Sequence, residues 1–470
     1  MRLLSRKHQA FSSQVYFLFL CLLIAPVNIS AGSAETPFSI TSSRTDDYAL
    51  YSLPDNAKWS FSTLDLQAGK QVITTGNAIG VPLVPGSLTK LLITAAALDM
   101  NVKEKISMDT IIAADGPISD GKLKGNLYLQ GSGNAFLSER DMEEAVEEIA
   151  SRGIREITGS IIADDSLFDI RGWKNTYNGP AYASPGSLGL ELHTVSISVF
   201  GRPPNTKIEP RNDEVRIIFV PNGKPEIRQI DDLTYEIRGN KTQSPLFRKR
   251  FSIKDPAIYA ALTFRTLLRE NGVNLKGHVA RGETPPGITE ICRMKARNLE
   301  DLIKDTNYNS LNVIAENLLY LIGVKRFGLP GTCDKGIQVV KEFLKEIELS
   351  HDGMSLADGS GLSPANRITS DQMVILLKKV SEKPWFDAFF QSLPRAGING
   401  TLKDIGYVNE HIRAKSGQLS NVYCLAGFVE RRNKSLFAFS YIVNVPGAEL
   451  LGKDRTGLLL ERLAGDGPWI

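Results

Sequence analysis

The first regular pattern in the chain is a pair of short runs that predicts a β-hairpin. Polar and apolar residues alternate over 59–66, and a second run at 71–73 follows a short turn. A period of two is typical of a half-buried strand. A strongly helix-forming run comes next, and we predict a helix that begins near Ser87 and ends at about Met100.

The middle of the chain contains two similar helix–glycine–strand units, which predict a small α/β domain. In the first unit an amphipathic helix at 141–152 precedes a strand at 161–163. In the second unit a helix at 260–271 precedes a strand near Val279. Because the two units are far apart in the chain, we expect one domain that is split by an insertion.

The segment between these units favours short strands, at 195–199 and 215–220, with proline and glycine between them. It predicts a β-rich domain inside the α/β domain. Helical patterns return after Lys295, and they are followed by strands near the C-terminus. The further helices are predicted at about 312–319, 333–347, 370–380 and 454–464, and the strands at 412–417, 422–429 and 436–443.

The N-terminal segment has the pattern of a secretory signal peptide. Arg2, Arg6 and Lys7 form a basic start, an apolar run covers 15–27, and small residues at 31–34 offer a cleavage site. We therefore expect a periplasmic or otherwise secreted protein. The alternative is a membrane anchor, which the short, proline-interrupted run disfavours; we expect at most peripheral membrane association.

Composition and charge exclude several classes of function. Hydrophobic residues make up 42% and charged residues 23% of the 470-residue chain, as is ordinary for a globular protein. A net charge of +3 gives no indication of nucleic-acid binding. There are five histidines and no HExxH or CxxC pattern, so we expect no metal site and no cofactor.

Removal of the signal peptide leaves three cysteines, which cannot all pair within one chain. Cys424 lies in an apolar, strand-like run, and we expect it to be a buried thiol. The sequence leaves open whether Cys292 and Cys333 form a disulfide.

Three short motifs carry the candidate chemistry. A serine and a lysine three residues apart lie on one face of a helix, so a hydroxyl is placed beside an amine that can act as its base. Ser-x-x-Lys alone is common by chance, but here it is followed by a Ser-x-Asn motif and then by a Lys-Ser-Gly motif that begins a strand. The motifs are Ser87-Leu88-Thr89-Lys90, Ser310-Leu311-Asn312 and Lys415-Ser416-Gly417. This ordered set is the signature of penicillin-binding proteins and serine β-lactamases.

The whole mature chain resembles the low-molecular-mass class C penicillin-binding proteins, D-alanyl-D-alanine carboxypeptidases and endopeptidases of the penicillin-binding protein 4 type. The long insertion between Lys90 and Ser310 also resembles this family and is absent from small β-lactamases. Leu311, where a polar residue is expected, and Ser416, which replaces threonine, depart from the pattern. Further stretches that resemble the family lie at 65–69, 129–133, 358–363 and 393–402.

The resemblance implies an α/β fold of the penicillin-recognising serine transferase type, in which helices sandwich an antiparallel sheet. Two inserted domains, one α/β and one all-β, are expected to flank the cleft. The expected boundaries are 1–34 for the signal peptide, 35–107 and 292–470 for the catalytic domain, 108–189 and 246–291 for the α/β domain, and 190–245 for the β-rich domain.

The motif residues can be given roles from their chemistry. Ser87 would attack a carbonyl and form an acyl-enzyme, and Lys90 is the best-placed base. A lysine must have a lowered pKa to accept a proton at neutral pH, and burial or a second cation such as Lys415 would lower it. Ser310 would pass a proton to the leaving amine. Asn312 would hold a substrate amide, and Lys415 and Ser416 would bind the terminal carboxylate.

Simpler interpretations exist for each residue taken alone. Ser87 could cap its helix, Asn312 could do the same, and both lysines could be solvated. By resemblance, the backbone N–H groups of Ser87 and of Gln418, which follows Gly417, form the oxyanion hole. Resemblance also implies an acidic residue at the end of a strand in the inserted domain that meets the amino group of the peptide stem. Asp164 is the candidate and Asp165 is its rival.

The function expected from the resemblance is a serine-type D-Ala-D-Ala carboxypeptidase, a DD-endopeptidase, or both. It would act on peptidoglycan stem peptides and be acylated by penicillins. A serine β-lactamase or esterase, and a non-catalytic peptidoglycan-binding protein, are the alternatives.

Overall fold

A computed structural model describes residues 53–173, 179–201, 205–239, 247–405, 408–431, 434–448, 460–461 and 463–465. The predicted signal peptide and residues 454–459 and 462 of the helix predicted at 454–464 lie outside these ranges, whereas residues 460, 461, 463 and 464 are described and are helical. No helix in the part of the chain just given is long and apolar enough to cross a membrane.

The described elements follow the predicted order of hairpin, helix, mixed insertion, helices and final strands. The helices are α1 (Thr89–Lys103), α2 (Glu139–Ser151), α3 (Pro256–Glu270), α4 (Leu299–Asn309), α5 (Asn312–Phe327), α6 (Cys333–Glu346), α7 (Ser370–Ser381) and α8 (Phe386–Ser392). The strands are β1 (Lys58–Asp65), β2 (Lys70–Gly76), β3 (Thr110–Ala114), β4 (Ile118–Ser119), β5 (Lys122–Leu123), β6 (Leu127–Gln130), β7 (Glu156–Ile157), β8 (Ile161–Asp164), β9 (Thr194–Phe200), β10 (Asn205–Glu209), β11 (Arg216–Gln229), β12 (Thr234–Gly239), β13 (Phe247–Ser252), β14 (Asn274–Leu275), β15 (Val279–Arg281), β16 (Thr289–Met294), β17 (Arg395–Ala396), β18 (Asn409–Leu419), β19 (Val422–Glu430) and β20 (Leu436–Asn444).

The largest sheet is antiparallel and is built from both ends of the described chain. Its order is β17-β18-β19-β20-β1-β2, so the N-terminal hairpin pairs with the last strand. Alternation predicted a half-buried strand for β1, yet β1 is buried along nearly its whole length. β19, which has an apolar run rather than an alternating one, is buried as well. In β19, Cys424 and Ala426 face one hydrophobic core while Tyr423 and Leu425 face another. The sheet is therefore covered on both sides, as the resemblance predicts.

Helix α1 runs through the core on one side of this sheet. Its residues from Thr89 to Asp99 are all buried, and it packs against α4, α5 and α6. A mostly apolar helix that is buried on every side, as α1 is, is expected in such a central position. The residues just before α1 are thereby fixed against both the helices and the sheet.

The inserted segment forms a second core around a five-stranded sheet of order β15-β8-β6-β3-β16. The two predicted helix–glycine–strand units are adjacent here, because β15 pairs in parallel with β8. In the β-rich part, β9 pairs with β10 and β13. β13 begins after residue 245, where the β-rich domain was predicted to end. The hydrophobic pattern did not predict this strand, because it is rich in arginine and lysine. The domain boundaries themselves stay predictions.

Helix α5 attaches the inserted segment to the main core through one buried amide. Asn317 Nδ2 donates to the carbonyl oxygens of Gly133 and Gly186, both at 2.9 Å. Asn317 Oδ1 accepts from the Gly186 N–H at 3.1 Å. The amide thus has three partners, all of them in the backbone of the insert.

The three cysteines of the described ranges are free thiols. Cys424 is buried, as predicted. Cys292 belongs to the second core, whereas Cys333 packs at the edge of the first core. The pairing that the sequence left open is therefore not formed in this structure.

Candidate active site

Ser87 lies in a tight turn between the hairpin and α1. Gly86 has a φ of 50°, in the left-handed region that favours glycine, and Gly86–Leu88 form a 3₁₀ turn before α1. No side chain caps either the turn or the helix, so Ser87 is not a helix cap. Its hydroxyl contacts Lys90 instead.

Lys90 is fully buried, which excludes the interpretation of a solvated surface charge. Its Nζ lies 2.9 Å from Ser87 Oγ. It also donates to Asn312 Oδ1 at 2.7 Å and to the carbonyl oxygen of Ser360 at 2.5 Å. The amine is therefore held in place and has Ser87 within reach for proton transfer.

Burial lowers the pKa of Lys90 to about 8, while the charges of Asp358 and Glu316 partly oppose the shift. The sequence suggested that Lys415 would contribute as a second cation. In the structure the repulsion between the two lysines appears at Lys415 instead. Burial, and then the charge of Lys90, lower the pKa of Lys415 well below its usual value. Desolvation is thus the main reason that Lys90 can accept a proton near neutral pH.

Ser310 and Lys415 meet on the other side of the site. Lys415 is fully buried in β18, and its Nζ donates to Ser310 Oγ at 2.9 Å and to the Ser416 carbonyl oxygen at 2.6 Å. Ser310 follows α4 in a left-handed conformation, with φ 57° and ψ 42°. A non-glycine residue in this region costs free energy, and such strain is frequent at functional sites.

This strain gives a prediction that separates stability from activity. We expect Ser310→Gly to be more stable than Ser310→Ala by about 1 kcal/mol, because only glycine adopts the left-handed region freely. Both variants should lose turnover of a D-Ala-D-Ala peptide, since both lack the hydroxyl. Urea denaturation and D-alanine release measure the two quantities. An alanine variant as stable as the glycine variant would contradict the assignment of strain.

The glycine of the Lys-Ser-Gly motif lies against the backbone of Ser87. A Cβ atom placed on Gly417 would be 2.7 Å from Ser87 N and would overlap Cys424 Sγ. A Cβ atom on Gly86 would be 3.7 Å from Gln418 N. The amides of Ser87 and Gln418 are therefore neighbours, as an oxyanion hole requires, although their role stays a prediction.

Two further contacts place the remaining motif residues. Ser416 Oγ donates to Thr401 Oγ1 at 2.9 Å, so the family-like stretch 393–402 adjoins the Lys-Ser-Gly strand. Asn312 Nδ2 donates to the carbonyl oxygen of Ala181 at 2.7 Å. The insert therefore reaches the site through a backbone carbonyl. The departure Leu311 is partly buried against the first core, which leaves the polar groups on either side of it in place.

Asp164 belongs to the insert and has partners there. It is 3% exposed; its Oδ1 accepts from the Ser166 N–H and hydroxyl, and its Oδ2 accepts from the Thr284 N–H at 2.8 Å. The rival, Asp165, forms an ion pair with Arg281. The structure gives both carboxylates structural contacts, and a role for Asp164 in binding stays a prediction.

Sequence reasoning missed one acidic residue beside the site. Glu316 is buried on α5, one turn after Asn312, and accepts the N–H groups of Gly359 and Ser360. Asp358, in the family-like stretch 358–363, accepts the Gly361 N–H at 2.8 Å and so holds the same loop. The spacing of four residues after Asn312 could have indicated Glu316, because such residues share a helix face.

The thiol of Cys424 also lies next to the turn that contains Ser87. Cys424 Sγ is 2.7 Å from the Pro85 carbonyl oxygen and 3.4 Å from that of Gly417. Burial raises the pKa of Cys424 to about 12, so the group stays a neutral thiol. It contacts both backbone segments that carry the amides predicted to form the oxyanion hole.

Comparison with known proteins agrees with this arrangement. The family model for the D-Ala-D-Ala carboxypeptidase 3 (S13) family matches residues 46–459. The D-alanyl-D-alanine carboxypeptidase DacB of Haemophilus influenzae is 24% identical over 426 residues, which cover 83% of this chain and 86% of that protein. A D-alanyl-D-alanine carboxypeptidase of Actinomadura sp. is 28% identical over 424 residues, with coverages of 82% and 78%.

Solved structures agree on the fold. The crystal structure of penicillin binding protein 4 from Haemophilus influenzae has a TM-score of 0.76 at 21% identity, and the match covers 90% of this chain and 99% of that chain. The same protein complexed with a novel β-lactam gives a TM-score of 0.73. The predicted fold, a penicillin-recognising α/β fold with inserted segments, is confirmed.

Proposed function

Because the chain belongs to the D-Ala-D-Ala carboxypeptidase 3 (S13) family, we propose that it is a serine-type D-Ala-D-Ala carboxypeptidase, DD-endopeptidase or both, acting on peptidoglycan stem peptides. One observation carries the proposal. Three distant segments bring Ser87, Lys90 and Asn312 into one hydrogen-bonded cluster, and Ser310 and Lys415 into another. This arrangement provides a nucleophile, a base and a cationic anchor.

Acylation begins when Ser87 Oγ attacks the carbonyl carbon of the penultimate D-alanine. Its proton passes to the neutral amine of Lys90, 2.9 Å away. The carbonyl oxygen becomes an oxyanion between the N–H groups of Ser87 and Gln418. The C–N bond then breaks as Ser310 passes a proton to the leaving amine of D-alanine and regains one from the Lys90 ammonium, which becomes neutral again. In deacylation a water molecule gives a proton to Lys90 and attacks the ester carbonyl, and Lys90 returns that proton to Ser87 Oγ as the ester bond breaks.

The carboxylate of the terminal D-alanine completes the site electrostatically. Across the described ranges, neither Lys90 nor Lys415 forms an ion pair with a protein carboxylate. Burial and the charge of Lys90 lower the pKa of Lys415, so its ammonium form is less favoured in the free site than in water. A bound carboxylate stabilises the ammonium form and raises the pKa of Lys415 again. This coupling favours peptides with a free C-terminus at the cleaved residue.

Secretion and penicillin binding are parts of the same proposal. The basic, apolar and small-residue pattern of 1–34 supports export to the periplasm or beyond. A β-lactam offers Ser87 a strained amide, and its carboxylate fits the same lysine. The β-lactam complex of the Haemophilus influenzae protein supports a ligand of this class.

Intact-protein mass spectrometry after mixing with benzylpenicillin tests the proposal. We expect a long-lived adduct on the wild type and on a control, Ser381→Ala, whose replaced hydroxyl donates to the Lys378 carbonyl within its own helix. Ser87→Ala should give none. Rapid antibiotic turnover with a transient adduct would favour a β-lactamase. A folded wild type without any adduct would overturn the role of Ser87 and favour a non-catalytic wall-binding protein.

The peptidase activity itself needs a second measurement. A synthetic peptide that ends in D-Ala-D-Ala should release D-alanine with the wild type and with Ser381→Ala, and not with Ser87→Ala. The same peptide with a C-terminal amide should react poorly, because it lacks the carboxylate that Lys415 binds. Equal rates on the acid and the amide would contradict the proposed anchor.

A further inference from the structure

Glu316 is a buried carboxylate with no place in the reaction steps above. It is 3% exposed, and it lies on α5 four residues after Asn312. A buried acid is expected to have a specific set of partners, because burial penalises the charge. The partners of Glu316 are backbone amides rather than basic side chains.

These amides belong to the loop that contacts the base. Glu316 Oε1 accepts the Ser360 N–H at 2.8 Å, and Oε2 accepts the Gly359 N–H at 3.1 Å. The carbonyl oxygen of Ser360 then accepts from Lys90 Nζ at 2.5 Å. Glu316 is therefore connected to Lys90 through a single residue.

The loop also lies against the turn of the nucleophile. Gly361 has a φ of +85°, and a Cβ atom there would overlap the carbonyl oxygen of Gly86. Asp358 accepts the N–H groups of Gly361 and Ser363, so two carboxylates hold one short loop. Movement of this loop would displace the Ser360 carbonyl and the Ser87 turn together.

Four titratable groups face Glu316 from the elements around it. Asp358 lies on the loop, Lys90 on α1, Tyr320 on α5 and Cys333 at the start of α6. Burial, followed by the charge of Asp358, raises the pKa of Glu316 to about 7. The Tyr320 and Cys333 pKa values are also raised by burial, so these groups stay neutral. Lys90 is thus the cation of this set.

We propose that Glu316 is a positioning residue for acylation, which aims the Ser360 carbonyl at Lys90 and whose negative charge sets the pH range in which Lys90 works as the base. Two functions follow from one group. The position of the carboxylate sets the maximum acylation rate constant, which is reached at high pH (the plateau). Its charge sets the pH below which the rate constant decreases because Lys90 is protonated (the acid limb). The inference rests on the proposed function of Lys90.

Glutamine cannot replace this carboxylate. Its one carbonyl oxygen accepts only one of the two loop amides firmly, and its NH₂ group faces the other N–H. It also lacks the charge that favours the Lys90 ammonium. Aspartate keeps the charge but withdraws the oxygens from the loop by about one methylene. The two variants therefore separate charge from geometry.

The test is the pH dependence of the acylation rate constant with benzylpenicillin. In Glu316→Gln we expect the acid limb to move down by roughly one pH unit and the plateau to fall roughly 10- to 100-fold. In Glu316→Asp the limb should stay and only the plateau should fall. The control Glu342→Gln removes a surface carboxylate paired with Arg326, and both quantities should stay at wild-type values.

The outcomes decide between a positioning and a merely structural role. A folded Glu316→Gln with the wild-type limb and plateau overturns the proposal. If that variant does not fold, Glu316→Asp decides: a lowered plateau with an unmoved limb supports the proposal, and wild-type values overturn it.

A titration that needs no catalysis separates this inference from the proposed function. The ¹³Cε shift of Lys90, assigned by comparison with Lys90→Arg, reports the protonation of the amine directly. A lower midpoint in Glu316→Gln supports the electrostatic influence of Glu316 on Lys90, even if the wild type forms no penicillin adduct. Absence of the adduct would overturn the peptidase and the role of Glu316 in acylation, but not this electrostatic coupling. An unchanged midpoint overturns the electrostatic role of Glu316.

Discussion

Replacement of Lys90 by methionine is expected to slow acylation of Ser87 by roughly a hundred- to ten-thousand-fold, the usual contribution of a general base. Methionine fills the buried volume but cannot accept the proton from Ser87 Oγ. Stopped-flow or time-resolved mass measurement with benzylpenicillin gives the rate constant. Because the other groups stay in place, the residual rate should reflect binding and the oxyanion amides alone.

The pH dependence of the wild-type acylation rate also tests whether Lys90 is the base. With the pKa of Lys90 at about 8, the acylation rate should rise about tenfold per pH unit below pH 8 and level off above it. The stability effect has a definite sign. Since the folded pKa lies below the usual 10.5, unfolding takes up protons, so the ammonium destabilises the fold below about pH 8 and this cost disappears as the pH rises toward 10.5.

A matched control separates loss of the base from any unspecific effect that a lysine-to-methionine change has on the folded protein. Lys434→Met removes a lysine that is 75% exposed and paired with Glu430, so it should change neither the rate nor the profile. Lys90→Met should lose the acid limb near pH 8 and keep its melting temperature, since burial of the ammonium is costly. A folded Lys90→Met variant with wild-type acylation would show that another group is the base.

Gly417→Ala is expected to reduce acylation by roughly a hundred- to a thousand-fold, similar to the loss of an oxyanion donor. The added methyl group would lie 2.7 Å from Ser87 N and would overlap the Cys424 thiol. β18 must then move away from the Ser87 turn, which separates the Ser87 and Gln418 amides. The loss should appear in the rate constant of acylation, measured at saturating β-lactam, more than in the affinity of the first complex.

The control for this variant is Gly172→Ala. A Cβ atom at Gly172 meets no atom within 4 Å, so acylation should stay at the wild-type rate. A double variant, Gly417→Ala with Cys424→Gly, tests the steric cause, because it removes the overlap with sulfur but keeps the contact with the Ser87 amide. Full recovery in the double variant would show that the thiol, rather than the oxyanion amide, limits the single variant.

The sequence predicted the parts of the site that depend on side chains in ordered motifs. Ser87, Lys90, Ser310 and Lys415 are recognisable because their chemistry requires particular residue types at fixed spacing, and the structure brings them together. Hydrophobic patterns also predicted most of the described helices and five of the six strands of the largest sheet, but they missed short strands of the insert such as β4, β5 and β7. Alternation did not predict that β1 would be buried along nearly its whole length, since that depends on the distant segments that cover it.

The rest of the site depends on contacts that no local pattern contains. Ala181 contributes a carbonyl oxygen, which any residue could provide. Glu316 acts on a loop far away in sequence, and its role requires the register of α5 against that loop. The lowered pKa of Lys90 arises from burial, which is a property of the assembled core rather than of the Ser-x-x-Lys motif.

The buried amide of Asn317 limits how this enzyme could be shortened. Small β-lactamases manage without an insertion, and excision of 108–291 is the obvious route to a minimal version. Here the excision would remove the Gly133 and Gly186 backbone that satisfies Asn317, and each unsatisfied polar group costs about 1–3 kcal/mol. Asn317 lies on the same helix as Asn312, so an engineered deletion would need an apolar replacement at this position. The insertion therefore also serves as the hydrogen-bonding partner of a polar group inside the main core.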